Sequence, residues 1–191
     1  MHIFLTGDIR IGKSTVIRKT LPLLKLLDDV KKPPFGGFCT YFGPDRANPD
    51  RYLYINDAAC APVYDEQHII ARFREGCIPE VYPDRFDTLG SDYISDAQKN
   101  TRLIIMDECG RLERDALAFQ NEVLSALEGD MPILGVVKAG ISGWVEKIRC
   151  HPRVRLITVD RENRDSLPFL VAESITGYCL DSPAGSDFIS K

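Results

Sequence analysis

The chain has 191 residues, of which 44% are hydrophobic and 27% are charged, and its formal net charge is −4. This composition is typical of a globular protein with a buried core. No apolar stretch has the length of a membrane span, and the acidic balance argues against a broad nucleic-acid surface. We therefore expect one domain over residues 1–180, with neither membranes nor nucleic acids as partners.

The cysteines and the N-terminus predict a cytoplasmic protein. Six cysteines are widely spaced and form no Cys-x-x-Cys pair, which favours reduced thiols over disulfides or a zinc site. Gly7 and Asp8 interrupt the first apolar run, so that the N-terminus lacks the pattern of a secretory signal.

A glycine-rich loop between a strand and a helix is the first feature along the chain. Residues 2–6, His-Ile-Phe-Leu-Thr, contain a short apolar run and predict a buried strand. Residues 7–14 read Gly-Asp-Ile-Arg-Ile-Gly-Lys-Ser, which matches the phosphate-binding pattern of Gly, any four residues and Gly-Lys-Ser/Thr. A helix is predicted from Lys13 to about Asp28, with a kink at Pro22. This order of elements predicts a nucleotide site.

The residue types of this loop suit the binding of phosphate. Successive backbone N–H groups form an anion nest, to which the helix adds the positive end of its dipole. We expect Lys13 to act on the β- and γ-phosphates and the Ser14 hydroxyl to bind Mg²⁺. The predicted nucleotide-binding residues of the loop are Gly7, Asp8, Ile9, Arg10, Ile11, Gly12, Lys13, Ser14 and Thr15.

Residues 36–100 predict two strands and two helices. Strands over 38–42 and 52–55 flank a polar turn, which is typical of an antiparallel hairpin. A short helix is predicted over 65–74 and a longer one over 85–99, where apolar residues recur at helical spacing.

Two acidic residues follow the next strand. Residues 103–106 are continuously apolar and predict a central strand buried on both faces. We expect Asp107 to bind Mg²⁺ and Glu108 to be the catalytic residue that orients and activates the attacking water. The alternative is a strand that simply ends in two solvated acids.

Strands and helices alternate in the rest of the chain. Helices are predicted over 115–128, 144–149 and 166–176, strands over 132–137 and 154–159, and a flexible tail over 181–191. Lys138 follows the first of these strands and either contacts the γ-phosphate or is a solvated loop lysine. The alternation predicts an α/β fold, a mostly parallel sheet with helices on both faces. Ligands bind at the carboxyl ends of such strands.

Four segments resemble the small P-loop nucleoside-triphosphatases, a family first known from thermophiles that has a human cancer-related member. The loop at 7–14 is one. Residues 36–40, Gly-Gly-Phe-Cys-Thr, and 107–113, Asp-Glu-Cys-Gly-Arg-Leu-Glu, resemble the family's Gly-Gly-Phe-x-Thr and Asp-Glu-x-Gly-x-Met/Leu-Glu. Residues 159–165, Val-Asp-Arg-Glu-Asn-Arg-Asp, resemble its Val-x-x-Glu-Asn-Arg segment. The resemblance spans about residues 1–170.

The resemblance implies a RecA-like P-loop fold and a function. The function is Mg²⁺-dependent hydrolysis of nucleoside triphosphates, ATP and GTP among them, with loose base preference. Asn163 and Arg164 would then lie near the base. The chain departs from the family at Ile9-Arg10, where Pro-Gly is usual, and at Tyr41-Phe42, where acidic residues are usual.

Two other functions fit the phosphate loop. A small kinase would need an acceptor site, for which residues 43–85 offer five arginines: Arg46, Arg51, Arg72, Arg74 and Arg85. A nucleotide-dependent switch would hydrolyse slowly and bind a partner. We expect a monomeric triphosphatase with Mg²⁺ as its cofactor.

Overall fold

The computed structural model describes residues 1–24 and 33–181 and contains one eight-stranded sheet. The strands are β1 His2–Thr6, β2 Gly36–Phe42, β3 Arg51–Asp57, β4 Ile69–Phe73, β5 Glu80–Val81, β6 Ile104–Cys109, β7 Ile133–Val137 and β8 Val154–Thr158. Their order across the sheet is β5-β4-β3-β2-β6-β7-β1-β8. Strands β2, β6, β7, β1 and β8 are parallel, and β3 to β5 extend the sheet antiparallel. The predicted α/β fold is confirmed.

Helices cover both faces of the parallel strands. They are α1 Lys13–Thr20, α2 Pro83–Arg85, α3 Ser91–Asn100, α4 Leu117–Glu128, α5 Trp144–Arg149 and α6 Leu167–Asp181. Side chains alternate between the faces along each strand. Ile3 and Leu5 of β1 pack in the core under α1 and α6, whereas Phe4 packs in the core under α3, α4 and α5. Among the described residues, no helix has the length and apolarity to cross a bilayer.

The segment 65–74, predicted as a helix, instead forms a 3₁₀ turn followed by strand β4. Asp65 caps one 3₁₀ turn by accepting bonds from the backbone of Gln67 and His68, and β4 follows that turn. Strand β4 pairs with β3 on one side and β5 on the other. Asp65 is a good helix-capping residue, but the pairing with distant strands decides the conformation of residues 69–73.

The helix after the phosphate loop is shorter than predicted. Helix α1 ends at Thr20, and Pro22 lies in a 3₁₀ turn over Leu21–Leu23, because proline cannot donate the next helical bond. Leu23, which follows Pro22 in this turn, is 37% exposed. The predicted continuation over 25–28 and the predicted tail beyond residue 181 lie outside the described residues.

Candidate active site

The phosphate loop joins the carboxyl end of β1 to the start of α1, and two glycines shape it. Gly7 has a φ of 134°, and a Cβ there would lie 2.5 Å from the carbonyl oxygen of Val159. Gly12 has a φ of 114°, which side chains rarely tolerate. Arg10 also has a positive φ, 63°, at one of the two positions where the chain departs from Pro-Gly. The backbone therefore has the tight turn that the loop pattern predicts.

Lys13 closes the loop on itself. Its side chain is buried, and its Nζ donates to the carbonyl oxygens of Gly7 at 2.9 Å and Asp8 at 2.8 Å. Ser14 and Thr15 follow in the first turn of α1, where amide N–H groups have no helical partner. Asp8, Ile9 and Arg10 are exposed, and Ile11 is half-buried.

The loop meets the predicted metal-binding acid across one intervening strand. Strand β7 lies between β1 and β6, and the Ser14 hydroxyl donates to Asp107 Oδ1 at 3.1 Å. Asp107 is 8% exposed, and burial raises the pKa of its carboxyl to about 6, although the bond from Ser14 opposes that rise. Among the described residues the Ser14 hydroxyl donates to this buried carboxylate, and a bound cation would add to the charge compensation from Lys13 and Arg18.

Glu108 is paired with a lysine from the neighbouring strand. Its Oε1 lies 3.0 Å from the Nζ of Lys138, which directly follows β7. The Asp107–Glu108 peptide bond is cis, and β6 leaves its register with β7 between Met106 and Cys109. The sequence places Lys138 at this edge of the sheet but does not predict its contact with Glu108.

The turn that follows Glu108 is held together by buried hydrogen bonds. The backbone N–H of Gly110 donates to Glu113 Oε2 at 2.8 Å, and Trp144 Nε1 donates to the carbonyl oxygen of Gly110 at 3.1 Å. Glu113 is only 3% exposed, and burial raises the pKa of its carboxyl to about 7. Trp144 packs against Phe119 in the core. The sequence analysis gives Glu113 no role. The Gly-x-x-Glu spacing between Gly110 and Glu113 is the sequence feature that could have indicated this contact.

Asn163 and Arg164 lie in the turn after β8. The Asn163 side chain donates to the carbonyl oxygen of Thr158 at 2.9 Å and accepts from the backbone of Asp160 at 3.0 Å, which holds the turn together. Arg164 lines a cavity of about 260 Å³ that borders the phosphate loop. The other residues that line this loop-side cavity are Arg10, Ile11, Gly12, Thr15, Val16, Lys19 and Asp165.

The arginines of residues 43–85 are mostly engaged within the antiparallel extension. The Nε of Arg72 donates to Asp50 at 2.9 Å, and Arg74 pairs with Glu80 at 2.9 Å. Arg51 lies over the rings of Phe42 and Phe73, and Arg85 donates to the carbonyl oxygen of Gln67. Only Arg46 of the five has no described side-chain partner, so this region does not present a cluster of free arginines to an acceptor.

The sheet order and the loop define a P-loop protein of the RecA-like nucleoside-triphosphatase class. A family model described as NTPase matches residues 2–172 of the chain. The chain therefore belongs to this NTPase family.

Two relatives agree with this family. The chain is 29% identical over 171 residues to the nucleoside-triphosphatase THEP1 of Methanocaldococcus jannaschii, covering 87% of this chain and 92% of the relative. It is 29% identical over 182 residues to the THEP1 of Thermofilum pendens, covering 91% and 94%.

Two solved structures share the fold. THEP1 from Aquifex aeolicus has a TM-score of 0.71 and 20% identity, covering 92% of this chain and 99% of that one. The human cancer-related nucleoside triphosphatase has a TM-score of 0.71 and 22% identity, covering 92% and 97%.

Proposed function

We propose that this protein hydrolyses nucleoside triphosphates to diphosphates and inorganic phosphate in the presence of Mg²⁺. The bond between the Ser14 hydroxyl and Asp107 Oδ1 is the observation that carries the proposal. It brings the phosphate loop and the strand-end acid together, as a site for a metal–triphosphate complex requires. Membership of the NTPase family and the triphosphatase relatives support the same activity.

The residues at this site fit Mg²⁺. Mg²⁺ prefers oxygen ligands and is usually held by one or two protein groups together with water and substrate phosphates. Ser14 and Asp107 supply a hydroxyl and a buried carboxylate. Among the described residues, no three His, Cys, Asp or Glu side chains converge as a metal site, which suits a cation that the substrate helps to hold. When bound, Mg²⁺ would neutralise charge on the phosphate oxygens.

Protein groups supply the remaining chemistry. The loop amides and Lys13 would hold the β- and γ-phosphates once the lysine leaves the carbonyl oxygens of Gly7 and Asp8. Glu108 would take a proton from a water that attacks the γ-phosphorus, and the bond to the bridging oxygen of the β-phosphate would break. The products are a nucleoside diphosphate and inorganic phosphate.

The loop-side cavity would take the ribose and the base. It borders Thr15 and Arg164 on the outer side of the phosphate loop, where the nucleoside end of a bound triphosphate would lie. The described residues that line it include the charged side chains of Arg10, Lys19, Arg164 and Asp165. We propose loose base preference because the resemblance to the nucleoside-triphosphatase family implies it.

The substitution Glu108→Gln tests the proposed chemistry. It keeps the size of the side chain but removes the base, so we expect turnover to fall roughly 100-fold or more. Calorimetric titration with a non-hydrolysable triphosphate should still show binding. The exposed Glu75→Gln is the matched control and should hydrolyse at the wild-type rate.

Unchanged turnover in Glu108→Gln would reject Glu108 as the base. A nucleoside or metabolite that accelerates nucleotide consumption and itself gains a phosphate would instead identify a kinase.

A further inference from the structure

Lys138 occupies the middle of the proposed active site. Strand β7 lies between β1, which leads into the phosphate loop, and β6, which leads into Asp107 and Glu108. Because these strands are parallel, their carboxyl ends meet at one edge of the sheet. Lys138 directly follows β7 and therefore stands between the phosphate loop and the proposed base.

The contacts of Lys138 fix its backbone and leave its ammonium group able to move. Its backbone N–H donates to the carbonyl oxygen of Cys109 at 3.0 Å. Its side chain runs past Gly110, where a Cβ would lie 3.0 Å from Lys138 Cδ. The side chain is 39% exposed, and its Nζ reaches Glu108 Oε1 at 3.0 Å. A lysine with a fixed backbone and a flexible stem can exchange partners without movement of the strand.

This ion pair opposes the function proposed for Glu108. The ammonium group of Lys138 occupies the Glu108 oxygen that should bind water. A bound triphosphate would bring several negative charges to the same edge of the sheet. The γ-phosphate would then compete with Glu108 for the lysine.

We propose that Lys138 exchanges partners during the reaction. It pairs with Glu108 in the free protein and turns to the γ-phosphate of a bound nucleoside triphosphate, which frees Glu108 to orient the attacking water. This inference rests on the proposed triphosphatase function. It makes Lys138 a residue whose partner depends on whether the γ-phosphate is present.

The ratio of triphosphate to diphosphate affinity measures the proposed contact. Lys138→Met keeps the aliphatic stem beside Gly110 and removes the charge. With Mg²⁺, its affinity for a non-hydrolysable triphosphate should fall roughly 10- to 100-fold, the range of a lost hydrogen bond to a charged group. Its affinity for the diphosphate should stay within about 3-fold of wild type, because that ligand has no γ-phosphate.

Two further variants separate the charge from the residue. Lys138→Arg should retain most of the preference for triphosphate, since it keeps a cation at the same position. Lys147→Met changes an exposed lysine of α5 and should leave both affinities unchanged.

A double-mutant cycle tests the exchange itself. If Glu108 competes for Lys138, Glu108→Gln should bind the triphosphate several-fold more tightly than wild type. In Lys138→Met that gain should disappear, because no lysine remains to be released. A gain of equal size in both backgrounds would show simple repulsion between Glu108 and phosphate, and would overturn the exchange.

The outcomes distinguish this inference from the function on which it rests. If Lys138→Met kept the wild-type ratio of triphosphate to diphosphate affinity, the partner exchange would be overturned. Hydrolysis of triphosphates by the wild-type protein would still support the proposed triphosphatase function. A wild-type protein that binds no triphosphate would overturn both. The expected result is a loss of triphosphate preference in Lys138→Met, a preference retained in Lys138→Arg, and a gain in Glu108→Gln that depends on Lys138.

Discussion

The buried Glu113 should make the stability of the protein fall as the pH rises. Burial raises the pKa of its carboxyl from 4.5 to about 7, although the bond from the Gly110 backbone and the charge of Lys138 oppose that rise. Below pH 4.5 both the folded and the unfolded chain hold this proton. Between these two pKa values the unfolded chain loses the proton while the folded protein keeps it, so rising pH favours unfolding. Above pH 7 both states are ionised, and the dependence ends.

The substitution Glu113→Gln removes this titration and keeps an oxygen that accepts from Gly110. The carboxyl has a pKa of 4.5 in the unfolded chain and about 7 in the folded protein. Between pH 5 and pH 8 the free energy of unfolding of wild type should therefore fall by roughly 2–3 kcal/mol more than that of the variant. Urea denaturation at several pH values gives the free energy of unfolding of both proteins as a function of pH. The two slopes against pH are compared, so that any pH-independent destabilisation by the amide cancels.

Glu75→Gln, which changes an exposed carboxyl, should follow the wild-type slope. If the stability of Glu113→Gln also ran parallel to that of wild type from pH 5 to pH 8, the carboxyl of Glu113 would not be protonated in the folded protein, and the reasoning from burial would be wrong.

Three further substitutions test the loop and the packing of the sheet. Lys13→Ala should abolish nucleotide binding in calorimetry, and an isotherm of wild-type strength would contradict its role at the phosphates. Gly135→Ala should destabilise the protein by about 1–3 kcal/mol in urea denaturation, because its Cβ would lie 2.5 Å from the buried ring of Phe4. A Cβ at Gly177 in α6 would meet no neighbouring atom within 4 Å among the described residues, so Gly177→Ala should instead stabilise by about 0.5–1 kcal/mol; equal effects at the two glycines would refute the packing argument.

Local patterns predicted the features that local interactions determine. The apolar run at 103–106 indicated a strand buried on both faces, and β6 is central in the sheet. The glycine spacing at 7–14 indicated the tight loop, and the positive φ angles of Gly7 and Gly12 are the physical reason for that spacing.

Features that depend on distant partners were harder to predict. Strand β4 pairs with β3 and β5, and that pairing outweighs the local helix signal of Asp65. The position of β7 between β1 and β6 brings Lys138 to Glu108, and no periodicity in the sequence specifies that order. The burial of Glu113 follows from the packing around Gly110 and Trp144 rather than from its own charge.

Phosphate release from ATP, GTP, CTP and UTP, with and without Mg²⁺, tests most directly whether the phosphate loop and Asp107–Glu108 form a triphosphatase site. Wild type and Glu75→Gln should release phosphate from several of these nucleotides only with Mg²⁺, and Glu108→Gln should lose that release. Release that persists undiminished in Glu108→Gln, or no release by a wild-type protein that binds these nucleotides, would contradict it.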